Sequence, residues 1–392
     1  MRLPWILGCL LVWGAGLAQP HPTPWLVGVV VSATGPFADV GRPQAFAAER
    51  GAVHHLRGGV FGTPLVVEIR DDGGDPRRAE SLAIELADAG AIAVVCCTTP
   101  AATARVAAAM ESRATPVLAL AEVDLAGRFW GFGLVPDDRT VLTAVAVDAA
   151  TQGKVSLALM ALDSAFGEAS VAAFERALAD AGRTVAGVAR YPADATVLTP
   201  EGLWIASRQP GAVVVWGLPR DLPVALDGLR RRGYEGIVYA RADALPPASW
   251  ARLGPAGDHA IDRADPWSGV RAAVPPAAIA HRLPPDHPHA PAVSAFVGRV
   301  LGGDPLAASA GERVAMARVD DALTWLHAAF EQVAGIGLVD PSTSTLRLAT
   351  RDALVAAPLA RLAAGAYDAV DGEARVVRWQ GLVAVAVVPA RP

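Results

Sequence analysis

Hydrophobic positions in this chain fall into two kinds of stretch that alternate. One is the short run apolar at every position, such as WLVGVVVS at residues 25–32; the other is longer, with apolar residues at helical spacing. A strand covered on one face alternates apolar and polar, so an unbroken run predicts a strand covered on both faces. After WLVGVVVS comes the Gly/Pro loop ATGPFADVG, and Pro43 opens a helical stretch to about Arg57. LVVEIR predicts a second strand. In DDGGDPRRAESLAIELADAG, Asp75 is a helix N-cap, Pro76 stands at the first helical position and Gly90 is a stop. AIAVVCC is a third strand, residues 101–113 a third helix and TPVLALA a fourth strand.

The rhythm restarts with strand KVSLALM (154–160), helix GEASVAAFERALADAG (167–182), strand RTVAGVAR, helix EGLWIASRQ and strand GAVVVWG (211–217). LPVALDGLRRRG and EGIVYA complete the second set. Residues 244–291, rich in Pro, Asp and His, are read as connecting loops. GERVAMARVDDALTWLHAAFEQV (311–333) is a long amphipathic helix, and the tail GAYDAVDGEARVVRWQGLVAVAVV predicts a turn and two antiparallel strands. Strand–helix alternation of this kind requires right-handed crossovers and parallel sheets. The fold class is therefore α/β, with two doubly wound parallel-sheet lobes. Ligands of such sheets sit beyond the carboxyl ends of the strands. That rule nominates Cys96–Pro100, Ala119–Asp124, Asp163–Phe166, Trp216–Arg220 and Tyr239–Asp243, facing one another across a cleft.

Composition narrows the function classes. The 392 residues are 53% hydrophobic and carry a net charge of −5, with charged residues mixed along the chain. No basic block invites nucleic acid. The opening MRLPWILGCLLVWGAGLAQP has one Arg, a short apolar stretch and small residues before Ala18, which predicts a secretory signal peptide (residues 1–18) and a periplasmic location. Cys9 comes too early in it for lipidation. The mature chain then holds only Cys96 and Cys97. Neighbouring Cα atoms across a trans peptide lie about 3.8 Å apart, below the usual disulfide range, so the pair is read as free thiols acting as small apolar residues. Asp71, Asp72 and Asp75 are explained by turns and capping, and His281, His287 and His289 by a solvated loop. No metal or other cofactor is expected, and no catalytic motif calls for an enzyme.

The order of these motifs resembles the type I periplasmic binding proteins, in particular the leucine/isoleucine/valine-binding group of ABC transporters. VGVVVSATGPFADVG, then GGVFGTPLVVEIRDDGGDPRRAESLAIEL, then AVVCCTTPAATARVAAAMESRATPVLAL carry the resemblance in register, with SAFGE and AYDAVDGEARV agreeing locally. It implies crossing hinge segments that join lobe 1, residues 25–136 plus 263–372, to lobe 2, residues 137–262 plus 373–392, the two closing on a small solute. Pro100 falls where the family places a hydroxyl on the ligand carboxylate, with Thr98 and Thr99 just before it. Val123 falls on a second hydroxyl position, and Ala121 on one offering a backbone carbonyl to the ammonium. Val40 falls near an aromatic of the first loop. Phe166 matches an aromatic wall, Leu218 a further aromatic, and Asp243 the acid beside the ammonium. With both hydroxyls replaced, either Thr98 or Thr99 substitutes or the ligand is not a free α-amino acid. Trp216 and Arg220 enter the cleft by placement, Arg220 as an anion partner. The resemblance implies an exported, monomeric solute-binding protein for a small hydrophobic or amphipathic solute, working with an inner-membrane ABC permease. The other class left open is a ligand-sensing or scaffolding protein on the same fold.

Overall fold

The run WLVGVVV forms β1 (Trp25–Val31), whose last five residues are all buried, because helices cover both faces of its sheet. The computed structural model describes residues 23–125, 127–192, 194–217, 221–242, 253–255, 268–283, 285–356, 360–361, 363, 366–369, 377–380 and 383–387. Beside β1 lie β2 (Leu65–Asp71) and β3 (Ala91–Cys96), then β4 (Val117–Ala119) and β5 (Gly131–Gly133). The order is β2-β1-β3-β4-β5, parallel throughout, and helices make the first three crossovers. These are α1 (Ala38–Gly51), α2 (Pro76–Asp88) and α3 (Pro100–Ser112). Asp75 caps α2 by accepting from Arg77 N–H at 2.8 Å, and Asp71 and Asp72 accept from Gly73 and Gly74 N–H in the preceding turn.

The second lobe repeats the scheme. After α4 (Asp138–Thr151) come β6 (Ser156–Leu162), α5 (Ala165–Asp180), β7 (Thr184–Tyr191), α6 (Thr199–Ser207), β8 (Ala212–Trp216), α7 (Asp221–Arg230) and β9 (Ile237–Ala240). Its sheet runs β7-β6-β8-β9 and continues through strand Val270–Val274, parallel to β9, to the antiparallel strands Val383–Val387 and Leu253–Pro255. The stretch read as loops thus holds a completely buried strand. VRAAV is too short to show a period among its prolines, and the chain leaves the second sheet after Val274, later than residue 263. The helices Ala290–Val300, Ala310–Gly335 and Thr343–Ala356 then join the first lobe's core. In the tail, Ala366–Ala369 and Val377–Gln380 pair antiparallel.

Both lobes begin with the same close approach. A Cβ on Gly41 in α1 would stand 2.0 Å from the Ser32 carbonyl oxygen, and one on Gly167 in α5 would stand 1.7 Å from that of Leu162. Only glycine lets the helix after the first strand of each lobe sit this tightly on that strand's end. The crossing at Pro276–Ile279 is fixed by Arg313 of the long helix (Ala310–Gly335), whose guanidinium donates to the carbonyls of Ala277, Ala278, Pro305 and Ala308. One turn and more further along, buried Asp320 takes Arg299 Nη2 at 2.6 Å and His55 Nε2 at 2.9 Å. Burial alone would raise the Asp320 carboxyl, yet hydrogen bonds from His55 and Arg299 hold it below the usual carboxylate range.

Two outcomes are expected. Gly41→Ala and Gly167→Ala should each cost about 1–3 kcal/mol through overpacking, read by urea unfolding with helix content unchanged. A depressed carboxylate stabilises the fold above its unfolded pKa and loses that contribution as pH falls through the folded value. Asp320→Asn should therefore cost about 3–5 kcal/mol near neutral pH, and the gap to the parent protein should narrow below about pH 4. Equal gaps at both pH values would refute the linkage.

Candidate functional site

The carboxyl ends of β3 and β4 in one sheet and of β8 and β9 in the other meet around a cavity of about 270 Å³. Pro136 and Pro275, at two crossings between the lobes, line it as well. Its size is near the lower end for small-molecule sites, roughly 300–1,000 Å³. Apolar groups from both lobes, such as Val40, Leu120, Val141 and Ala273, make most of the wall.

Five of the residues singled out in the sequence line this cavity: Val40, Thr98, Pro100, Ala121 and Trp216. Thr98 is committed to architecture, since its Oγ1 accepts from Ser32 N–H at 2.9 Å and donates to Gln44 Oε1 at 2.7 Å. Thr99 is turned to a different task. It caps α3, accepting from Ala102 N–H, and its carbonyl accepts from Thr103 Oγ1. Neither Thr99 nor Val123 is in the wall, because the helix start consumes the first and the loop after β4 carries the second aside. Phe166, in the first turn of α5, reaches the cavity through Arg241, whose guanidinium lies 5.3 Å from the ring centroid. Leu218, Arg220 and Asp243 lie outside the described residues.

Cys96 and Cys97 require a correction. They are joined by a disulfide across a cis peptide with Cα atoms 3.1 Å apart, so the expectation of a trans linkage and free thiols does not hold. Both are completely buried in the apolar layer of β3, α2 and α3, and the wall begins only at Thr98.

The polar centre of the site is Arg241, just past β9. Its Nη1 donates to Asp138 Oδ1 at 3.1 Å, and its Nη2 lies 3.8 Å from Glu122 Oε2. Asp138 opens α4 in the second lobe, whereas Glu122 follows β4 in the first, so this guanidinium spans the cleft. It also stacks on Trp216 at the end of β8, with 5.6 Å to the ring centroid. Trp216 is buried and its Nε1 has no hydrogen-bond partner among the described residues. Behind the cavity, Asp148 of α4 accepts from Tyr239 Oη at 2.6 Å and pairs with Arg271 Nε at 2.8 Å. This buried network fixes α4 to β9 and so sets Asp138 against Arg241. Burial, with Asp148 beside it, raises the Tyr239 phenol well above its ordinary pKa and keeps it a donor. The first lobe adds Arg318 from the long helix, whose Nη1 reaches the Leu120 carbonyl at 3.5 Å, and Gln44 from α1.

Sequence reasoning named none of Gln44, Asp138, Arg241 or Arg318. Arg241 was within reach, since it lies in the nominated segment Tyr239–Asp243. Gln44 follows Val40 by one helical turn, a signal available once Val40 was placed in the cleft. Nothing in a strand-end rule points to Arg318, which comes from a helix. Among the described residues, no group of three or more His, Cys, Asp or Glu is gathered to hold a metal ion.

Comparison with known proteins agrees with this geometry. The family model for periplasmic binding protein matches residues 24–264. A protein assigned to a branched-chain amino acid ABC transporter of Rhodospirillum rubrum shares the fold at TM-score 0.71 and 19% identity, over 93% of this chain and 98% of that one. An extracellular ligand-binding receptor from Rhodopseudomonas palustris gives 0.64 and 20%, over 88% and 92%. A leucine-binding protein from Thermotoga maritima gives 0.61 and 16%, over 92% and 98%. No match to a curated protein was found. Two parallel-sheet lobes around a solute-sized cleft, and a family model matched over more than half of the length, place this chain in the periplasmic binding protein family, with the type I fold.

Proposed function

We propose that the protein is an exported receptor that captures a small amphipathic organic solute between its lobes and presents it to an inner-membrane ABC permease. The observation that carries this reading is the composition of the cavity wall. Both lobes contribute apolar surface, and each contributes an arginine, Arg318 from the first and Arg241 from the second. A solute touching both walls favours the closed arrangement by its extra contacts there, which is the requirement for ligand-driven closure. Binding needs no bond-making group, and the role is capture without turnover. The neighbours from Rhodospirillum rubrum and Thermotoga maritima, by what their names state, make transport the natural setting. Export rests on the N-terminal segment, cut after Ala18.

Solute at a hundredfold excess over its Kd should stabilise the purified protein by about 2.7 kcal/mol, visible as a raised Tm. Ala121→Phe should fill the cavity and weaken the same solute by more than about tenfold while the unliganded Tm stays close to that of the parent. An undiminished shift in that variant would place the site elsewhere. Intact-mass analysis of protein recovered from the periplasm should give a chain beginning at Gln19; a chain retaining Met1 would overturn the export reading.

A further inference from the structure

Each charged side chain of the cavity wall has a partner within the protein: Asp138 and Glu122 on Arg241, and Arg318 on the Leu120 carbonyl. Given the receptor reading above, telling a solute's donors from its acceptors then falls to the neutral polar groups. Gln44 of α1 is one of them. It lines the cavity and is only 2% exposed, so its side chain meets the cavity rather than bulk water.

An amide presents an oxygen on one side and two N–H donors on the other, and its bonding decides which side faces where. Ser32 N–H, a donor only, lies 2.9 Å from Thr98 Oγ1, so that oxygen accepts there. The single Thr98 proton goes to Gln44 Oε1 at 2.7 Å. Turning the amide over would set two donors on Thr98 and leave its proton unused, at the cost of one hydrogen bond. Thr98 thereby holds the Gln44 oxygen. The Nε2 donors, which have no partner among the described residues, are left for the cavity. In a wall that is mostly apolar, a solute oxygen set against these donors gains a bond, whereas a solute N–H meets N–H.

We infer that Gln44 is a solute-contacting residue whose amide N–H groups receive a carbonyl-type oxygen, that of a ketone, amide, ester or carboxylate, and that Thr98 is the positioning residue that sets this polarity. Thr98, a candidate for direct contact by family resemblance, acts at one remove. Its replacement by valine frees the amide to turn and offer its oxygen instead, which relaxes the preference for acceptors. Gln44→Glu still accepts from Thr98 but sets a second acceptor toward the cavity, which reverses the preference.

The test is calorimetric titration with compounds that share one branched body: isoamyl methyl ketone, isocaproamide, isocaproate and leucine carry the oxygen, isopentylamine carries a donor alone, and the alkene with methylene in place of the ketone oxygen carries neither. At least one carbonyl compound should bind more than about tenfold tighter than the amine and the alkene. Gln44→Met should weaken that compound about tenfold and Gln44→Glu further, with the alkene little changed. Thr98→Val should narrow its lead over isopentylamine about tenfold, and Thr98→Ser should keep it. Circular dichroism checks that each variant is folded, and Gln44→Glu, the closest in shape, decides if Thr98→Val is not. An unchanged lead in folded Thr98→Val removes the positioning role. Equal losses for all compounds in Gln44→Met, or tightest binding by the amine or alkene, overturn the contact and leave the receptor reading standing. If no compound binds the folded parent protein, both fall.

Discussion

Coverage of both sheets on both faces is the constraint from which the site follows. In β3 and β8 every residue is buried, and the strand N–H and C=O groups are spent in parallel ladders. A strand so enclosed has no side chain free for recognition along its length. Chemistry is confined to the residues just past each carboxyl end, where the chain turns and meets water. That confinement also explains the tight seating of α1 on Ser32 and of α5 on Leu162. Each of these helices must start directly beyond its strand, and glycine is the residue that lets it.

Two such sheets opposed end to end bring their free residues together, and the charges among them must be held. Moving a guanidinium from water to a cleft costs several kcal/mol unless its N–H groups and charge are matched. Arg241 meets that cost with Asp138, Glu122 and two aromatic faces. The match depends on α4 standing in register with β9, and the Asp148–Tyr239–Arg271 network supplies that register from within the core. Fold and site are thus coupled through one helix: α4 carries Asp138 into the cavity at its start and Asp148 into the core near its end.

How much of this was legible follows the physics of each signal. Runs such as WLVGVVV and GAVVVWG identify strands because full burial leaves no polar position, and Asp75-Pro76 marks a helix start because its hydrogen bonding is local. VRAAV was missed because five residues between proline-rich flanks show no period, and its strand character comes from pairing with β9 and Val383–Val387. In the site, strand-end placement reached Thr98, Pro100 and Ala121 because it depends on the sheet alone. It missed Arg318 because a helix packed from a distant part of the chain delivers that residue. The cysteines misled for a related reason. Their position at a strand end suggested the rim, while the layer formed by α2 and α3 encloses them.

Thr98 shows why matching positions to a family's pattern cannot by itself assign roles. A hydroxyl offers one proton, and here that proton goes to Gln44 while the oxygen receives Ser32 N–H. Such a group joins β1, β3 and α1 into one wall and has no donor remaining for a guest. Once the hydroxyls near the start of α3 are tied up in this way, any pull on a negative charge has to come from other donors of the wall. A guanidinium has five, and it carries a full charge that a hydroxyl lacks. The exchange changes reach as well as strength. A threonine acts within a short distance of its own strand end, whereas an arginine extends across the gap. Arg241, fixed on the second lobe and touching Glu122 of the first, makes the cavity wall and the contact between lobes properties of the same side chain.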